Sequence, residues 1–344
     1  MPRRVLFIPV SGGRGGGELQ RSLILARTLR AQGGDTDIRF LAHAQAPFPC
    51  EEFQRTPLPG SPTRSEPEVI AAIADFAPDL CVFDSTLRMS ALRAARAAGS
   101  RTAYLSVRPN SRWRGLDPRK RTLLDAHWIL APERLGAAPP WPERLGRWLL
   151  RRTRFEYFNA VFEAPDTAAA SRLLAEHGLA PGRYMLACPG GAGYTVDGLA
   201  PVPLLAEAGS ALRTTLPVLV VDPGDHALPA GWIGLPRMPN RILMGLVEGA
   251  RLNVVNGGGT LVQALTLGAP CLAIPMQEEQ AQRIAAFAAR DAVLTCAAER
   301  TAIATAWQDA ADADLDGLRG RARALGLRND ASTIAQRIQA MLAR

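Results

Sequence analysis

The stretch NVVNGGGTLVQALTLGAPCLAIPM, residues 253–276, decides the fold class. It begins as a short apolar run and breaks at three consecutive glycines. Leucine and alanine at helical spacing follow, and a second apolar run stops at Pro275. A strand, a tight turn, a helix and a second strand make a βαβ unit. Strands joined by a helical crossover lie parallel, because an antiparallel neighbour needs only a hairpin.

The same alternation extends outward in both directions. RRVLFIPV (3–10), TDIRFLAH (36–43), PDLCVFDS (78–85) and RTAYLSV (101–107) read as buried strands in the first half. YMLACPGG (184–191), LPVLVVDPG (216–224), RLNVVNGGG (251–259) and APCLAIPM (269–276) do so in the second. Alanine- and leucine-rich helical stretches separate them, so the expected class is α/β, with doubly wound parallel sheets covered by helices on both faces. At 344 residues the chain suffices for two domains, each with its own core. EAPD and LAPG flank a short helical stretch between the two series. The expected division is a domain over 1–163, a junction over 164–182 and a domain over 183–344, with the last helix a candidate to return to the first domain.

Composition bounds the class further. Hydrophobic residues make up 47% of the chain and charged residues 21%, which fits a soluble globular protein. RRVLFIPV has a basic start, but its apolar run is too short for a secretory signal and no small-residue cleavage site follows. No stretch is long and apolar enough to span a bilayer. Cys50, Cys81, Cys188, Cys271 and Cys296 lie far apart with no C-x-x-C pair, and read as reduced residues of a cytoplasmic protein. The net charge of +8 comes almost entirely from arginine, which a GC-rich coding bias also produces. No nucleic-acid partner is expected.

Parallel sheets of this kind bind ligands beyond the carboxyl ends of their strands. Three loops there are glycine-rich: SGGRGGGE (11–18), CPGGAGY (188–194) and NGGGT (256–260). Glycine lets the backbone turn amides inward and lets a ligand come close, and a helix start adds a dipole that favours anions. A tight turn alone explains one such loop. Three, in both halves, point to a phosphate-bearing ligand in an interdomain cleft. None ends in the Gly-Lys-Ser/Thr of a P-loop. The dinucleotide fingerprint fails because Glu18, Leu19 and Gln20 occupy its closing positions, and FLAH lacks the ribose-binding acid. DTD (35–37), similar to the metal-binding D-x-D of one transferase class, leads into a strand at the wrong end of the sheet and reads as a polar turn. His43, His127, His177 and His226 have no zinc-like spacing, and no metal site is expected.

Residues 253–294 resemble the donor-binding segment of GT-B glycosyltransferases of the MurG-like group. There a glycine-rich turn and a Thr open a helix, a G-x-P follows, and a stretch bearing Pro and Gln closes the site. GGGELQRSLILARTL (15–29) resembles the G-x-G-H-x-x-R-x-L-x-L-A start of that group and of the PseG-type nucleotide-sugar hydrolases. The resemblance implies two Rossmann-like domains facing a cleft. It also implies metal-independent transfer of a hexosyl or N-acetylhexosaminyl group from a nucleoside-diphosphate sugar, UDP-linked, to an acceptor held by the first domain, with no cofactor besides that donor. Asn256, Gly257, Gly258, Gly259 and Thr260 would then line the diphosphate, and Gly190, Gly191 and Gly193 the nucleotide pocket. Gln277 and Gln280 would bond sugar hydroxyls, a task that suits amides because they donate and accept. Gly15, Gly16, Gly17 and Arg21 fall on the acceptor side.

The sequence departs from the group at two positions. Gln263 stands where the group often has a ribose-binding Glu, and pairs with hydroxyls more weakly than a carboxylate. Glu18 stands where the group has His, and has two readings: a general base for the acceptor, or a helix-start carboxylate favoured by the macrodipole. Asp84, at the end of DLCVFDS, is either a second catalytic group on the same rim or a cap for the next helix. These departures leave two alternatives open: a nucleotide-sugar hydrolase in which water replaces the acceptor, and a non-catalytic nucleotide-sugar binding or partner protein.

Two basic clusters, RPNSRWRGLDPRKR (108–121) and WPERLGRWLLRRTRF (141–155), mix arginine with tryptophan and leucine. The second has two readings. In one, Trp141 and Trp148 sit in lipid headgroups and Arg151 and Arg152 meet their phosphates, at the inner face of the membrane and with a lipid-linked or cell-envelope acceptor. In the other, a solvated helix packs its Trp and Leu on the domain core.

Overall fold

The computed structural model describes residues 2–12, 16–46, 52–190, 195–196 and 198–343. Gly15, Cys50, Gly191 and Gly193 lie outside them. The chain forms two compact units, one of Met1–Ala131, Gly136–Val161 and Asp330–Arg344, the other of Pro132–Leu135 and Phe162–Asn329.

Among the described residues the first unit carries strands β1 (Arg3–Pro9), β2 (Thr36–His43), β3 (Gln54–Leu58), β4 (Leu80–Asp84), β5 (Arg101–Ser106), β6 (Ala126–Leu130) and β7 (Arg154–Phe158). They form one parallel sheet in the order β3-β2-β1-β4-β5-β6-β7. Its helices are α1 (Gly17–Ala31), α2 (Glu66–Phe76), α3 (Met89–Ala97), α4 (Pro109–Gly115) and α5 (Trp141–Leu149), joined by α13 (Ala331–Leu342) from the end of the chain. Every residue of β4 and β6 is buried, as expected of strands covered on both faces. Side chains of a strand alternate between faces. Val5 and Phe7 accordingly pack with α1 and α13, through residues such as Leu23 and Ile338, whereas Leu6 and Ile8 pack with Ile73 of α2 and Leu92 of α3.

The second unit contains α6 (Thr167–Glu176), β8 (Met185–Cys188), α7 (Pro201–Gly209), β9 (Val218–Val221), β10 (Trp232–Leu235), α8 (Asn240–Gly249) and β11 (Leu252–Asn256). They are followed by α9 (Gly259–Thr266), β12 (Cys271–Ile274), α10 (Glu278–Ala288), β13 (Leu294–Thr295), α11 (Arg300–Asp312) and α12 (Asp316–Ala324). Its strands form a second parallel sheet, β10-β9-β8-β11-β12-β13. The βαβ unit of the opening stretch is β11, α9 and β12, with Val254 beside Leu272.

Residues 164–182, read from sequence as a junction, fold as part of the second unit. Asp166 caps α6 by accepting from the Ala169 N–H at 2.9 Å. The helix lies so close to α8 that a Cβ on Gly245 would come within 2.8 Å of the Ala170 Cβ. Among the described residues no helix is long and apolar enough to cross a membrane. Cys81, Cys188 and Cys271 are buried free thiols and Cys296 is half-buried. Burial pushes Cys81 and Cys188 up to about 12, so they act as small apolar side chains.

Candidate functional site

Each sheet reverses its strand order at one point, between β1 and β4 in the first unit and between β8 and β11 in the second. In open α/β sheets such a switch point leaves a crevice at the carboxyl ends of the strands. The three glycine loops of the sequence follow β1, β8 and β11.

In the second unit Asn256 bridges the switch point. Its Nδ2 donates to the Pro189 carbonyl beyond β8 at 3.1 Å, and its Oδ1 accepts from the Gly258 N–H at 2.9 Å. Gly257 lies against α10, where a Cβ would meet the Gln280 Cβ at 2.6 Å and its carbonyl oxygen at 2.9 Å. The Gly257 carbonyl accepts from Arg283 Nη1 at 2.8 Å, and Arg283 Nε stands 3.5 Å from Glu133 Oε2. α9 then starts at Gly259 and Thr260 with no side-chain cap. Gly259 is exposed and Thr260 half-buried. Gly190, beyond β8, has φ +85°, a conformation that favours glycine. Gln277 begins α10 without capping it through its side chain, and Gln263 lies half-buried on α9. Gln280 is buried, its Oε1 accepting from the Met276 N–H at 3.0 Å.

These contacts sort the glycine turn. The Gly258 amide is engaged by Asn256, Gly257 serves close packing against α10, and the Gln280 side-chain oxygen Oε1 is taken up by the Met276 N–H. Gly259 and Thr260 remain as the groups that open toward solvent at a helix N-terminus, where amides and dipole together favour an anion.

In the first unit an ion pair spans the corresponding point. Arg21, on the second turn of α1, donates from Nε to Asp84 Oδ2 at 3.0 Å and from Nη2 to Oδ1 at 2.5 Å. The Ser22 and Ser85 hydroxyls also donate to Asp84, at 3.3 and 3.2 Å. Asp84 is fully buried, so it is held inward rather than presented on the rim, and it is not a cap for α3, whose N-cap is Arg88. Burial pushes the Asp84 carboxyl up to about 6 against the pull of Arg21. For Arg21, burial lowers the pKa, but Asp84 and then Glu18 overcome it and the net shift is upward. Glu18 is half-buried in the first turn of α1, next to the exposed Gly17 and the buried N-cap Gly16.

The helix α5 is inside out. Its buried side chain is Glu143, while Trp141, Leu145, Trp148 and Leu149 are 72%, 48%, 60% and 43% exposed. With Trp113 of α4 they make up the exposed large hydrophobic residues of the described chain. Arg144, Arg151 and Arg152 are exposed beside them, with the Arg151 guanidinium 5.6 Å from the Trp148 ring centroid. The reading in which this Trp and Leu face packs on the core is therefore overturned. Gly146, where a Cβ would come within 3.3 Å of Leu116, faces inward in its place.

Solved structures share this architecture over the whole chain. Spinosyn forosaminyltransferase SpnP is 17% identical, with 99% of this chain and 100% of that one covered and a TM-score of 0.68. UGT2 of Phytolacca americana, solved with UDP-2-fluoro-glucose and pterostilbene, is 12% identical over 99% of each chain, with a TM-score of 0.67. MurG of Acinetobacter baumannii is 13% identical, with 98% of this chain and 100% of that one covered and a TM-score of 0.61. The fold is GT-B. No protein-family model and no curated protein matches the sequence.

Within the GT-B fold, sequence reasoning missed Arg283, Glu133 and the Pro189 carbonyl. Arg283 follows Gln280 by three residues and so shares its helix face. That spacing was a usable signal, but the acceptor for its guanidinium is set by tertiary packing.

The glycines of the turn should respond differently to one methyl group. Gly257→Ala should lower the melting temperature, because the new Cβ meets Gln280 backbone as well as side chain. Gly259→Ala, with nothing within 4 Å of its Cβ, should leave stability unchanged or raise it by up to about 1 kcal/mol through helix propensity. Thermal unfolding of the two variants measures the contrast.

Proposed function

We propose that this GT-B chain transfers a hexosyl or N-acetylhexosaminyl group from a nucleoside-diphosphate sugar, UDP-linked, to an acceptor hydroxyl. The observation that carries this reading is the uncapped start of α9 at the switch point of the second sheet. Support comes from GT-B neighbours solved with UDP-2-fluoro-glucose and, for Os79 of O. sativa, with UDP. A diphosphate on the amides of Gly259 and Thr260 meets the positive end of the helix dipole. As the bond from sugar to phosphate lengthens, negative charge grows on the leaving diphosphate, and donors already aimed there stabilise it without reorganising. The reading assigns this task to amides rather than to a metal ion. Gln277 is assigned to the sugar hydroxyls and Gln263 to the ribose. Glu18 is assigned the base that accepts the acceptor's hydroxyl proton. Asp84, whose two oxygens each accept two hydrogen bonds, is assigned to holding Arg21.

The test is turnover with a panel of nucleoside-diphosphate sugars, with and without lysate acceptors. Sugar transfer that requires acceptor supports the reading. Sugar release without acceptor identifies a hydrolase, and binding without turnover a binding protein; either overturns it.

The outward apolar face of α5 favours a peripheral contact with an anionic membrane, and with it a cytoplasmic enzyme whose acceptor is lipid-linked. Aromatic and leucine side chains enter the headgroup region while the flanking arginines meet phosphate. Co-sedimentation with anionic vesicles should fall when Arg144, Arg151 and Arg152 are changed together to Gln. It should also fall in about 1 M salt, where the Debye length shrinks from about 10 Å to about 3 Å. Equal recovery with neutral and anionic vesicles would rule out this contact.

A further inference from the structure

Gly257 and Gly258 are joined by a peptide unit flanked by glycine on both sides, the arrangement least resistant to rotation of the peptide plane. In a trans peptide the carbonyl and the N–H point in opposite directions. Here both are held from opposite sides. The Gly257 carbonyl accepts from Arg283 Nη1 at 2.8 Å, and the Gly258 N–H donates to Asn256 Oδ1 at 2.9 Å. The φ of Gly258, −82°, is open to any residue, yet a Cβ there would stand 2.7 Å from Asn256 Oδ1. Glycine at 258 is thus what lets the Asn256 side chain reach the amide. Asn256 is itself anchored through the Pro189 carbonyl at 3.1 Å. On the other side the Glu133 carboxylate, 3.5 Å from Arg283 Nε, offsets the guanidinium charge, so Arg283 acts at Gly257 as an oriented donor.

We propose that Asn256 and Arg283 are positioning residues that clamp the Gly257–Gly258 peptide and thereby fix the direction in which α9 presents the amides of Gly259 and Thr260 to a diphosphate. Released, the plane can turn its carbonyl oxygen, the negative end of the peptide dipole, toward the anion. The clamp gives both residues a role at the turn that needs no contact with the phosphate itself: each holds one side of the same peptide plane. This inference rests on the nucleoside-diphosphate reading above.

Calorimetric titration with UDP, dTDP, CDP, ADP and GDP, and with the monophosphate of whichever binds tightest, tests it. Asn256→Ala and Arg283→Met should each weaken the diphosphate about tenfold, roughly the loss of one well-aligned hydrogen bond, and weaken the monophosphate much less. Arg283→Lys, which keeps a donor on a similar stem, should recover most of the affinity. The double variant should lose less than the product of the single losses, because either break alone frees the plane. Changing Glu133 to Gln together with Arg283→Met avoids leaving a lone carboxylate and keeps the test usable if the single variant folds poorly. Wild-type protein that binds none of the diphosphates overturns the donor reading and the clamp with it. If the wild type binds, the clamp alone is overturned by variants of unchanged affinity, or by variants that lose diphosphate and monophosphate equally in step with a lower melting temperature.

Discussion

Turnover should fall by about 10²–10⁴-fold in Glu18→Gln, with donor affinity and melting temperature unchanged. Glu18 sits in the first turn of α1, half-buried, at the switch point of the first sheet. Its nearest cation along the helix, Arg21, is engaged by Asp84 through both Nε and Nη2. Glu18 also lies in the field of Arg21, whose pKa it helps to raise, and the function proposed above makes it the group that takes the acceptor's proton. Glutamine keeps the shape and removes the base. If Glu18 serves only the helix start, the substitution costs roughly 0.3–1 kcal/mol of stability and leaves activity intact. Steady-state rates with saturating donor, read beside thermal unfolding, separate the two accounts, and full activity would leave Glu18 only the helix-start role.

Much of the fold was legible because continuous apolar runs such as LCVFD and CLAI have one stable use, a parallel strand covered on both faces. The glycine turns were legible as well, since glycine marks where backbone must come close to something. What that something is was not. For Gly257 it is α10, and for Gly258 the Asn256 side chain, contacts made by packing rather than by local pattern. The Arg21–Asp84 pair joins residues far apart in sequence that only the strand order brings together. The orientation of α5 was illegible for a different reason. An amphipathic pattern gives the spacing of an apolar face, here Trp141, Leu145, Trp148 and Leu149, but not which side of the helix meets the core. The residues that meet it are Glu143 and Gly146, which no hydrophobic periodicity would select.

The first unit should respond to pH in opposite senses at two buried groups. Asp84 has its pKa raised from 3.8 to about 6, chiefly by burial, with Arg21 and Ser85 pulling it back and Glu18 adding to the rise. Between those values the folded chain holds a proton that the unfolded chain has lost, so stability falls as pH rises, by about 1.4 kcal/mol per pH unit. His127 is the reverse case. It is buried on β6 with its Nε2 2.8 Å from Ser106 Oγ, and a Cβ on Gly115 would come within 2.3 Å of its ring. Burial, then Arg112 of α4, Arg147 of α5 and Lys120, lower its pKa from 6.5 to about 3. Between those values the unfolded chain binds the proton that the folded chain refuses, so stability rises with pH at a similar slope. From about pH 4 to 6 the two contributions oppose each other, and the wild type masks both. Urea unfolding at pH 4, 5 and 6 should expose them as differences from wild type. His127→Gln should become relatively more stable toward pH 4, because the acid-sensitive group is gone, and Asp84→Asn relatively more stable toward pH 6, because its ionisation no longer opposes folding. Either variant tracking the wild type at a constant offset across the window would show that the group it replaces keeps its ordinary pKa in the folded chain.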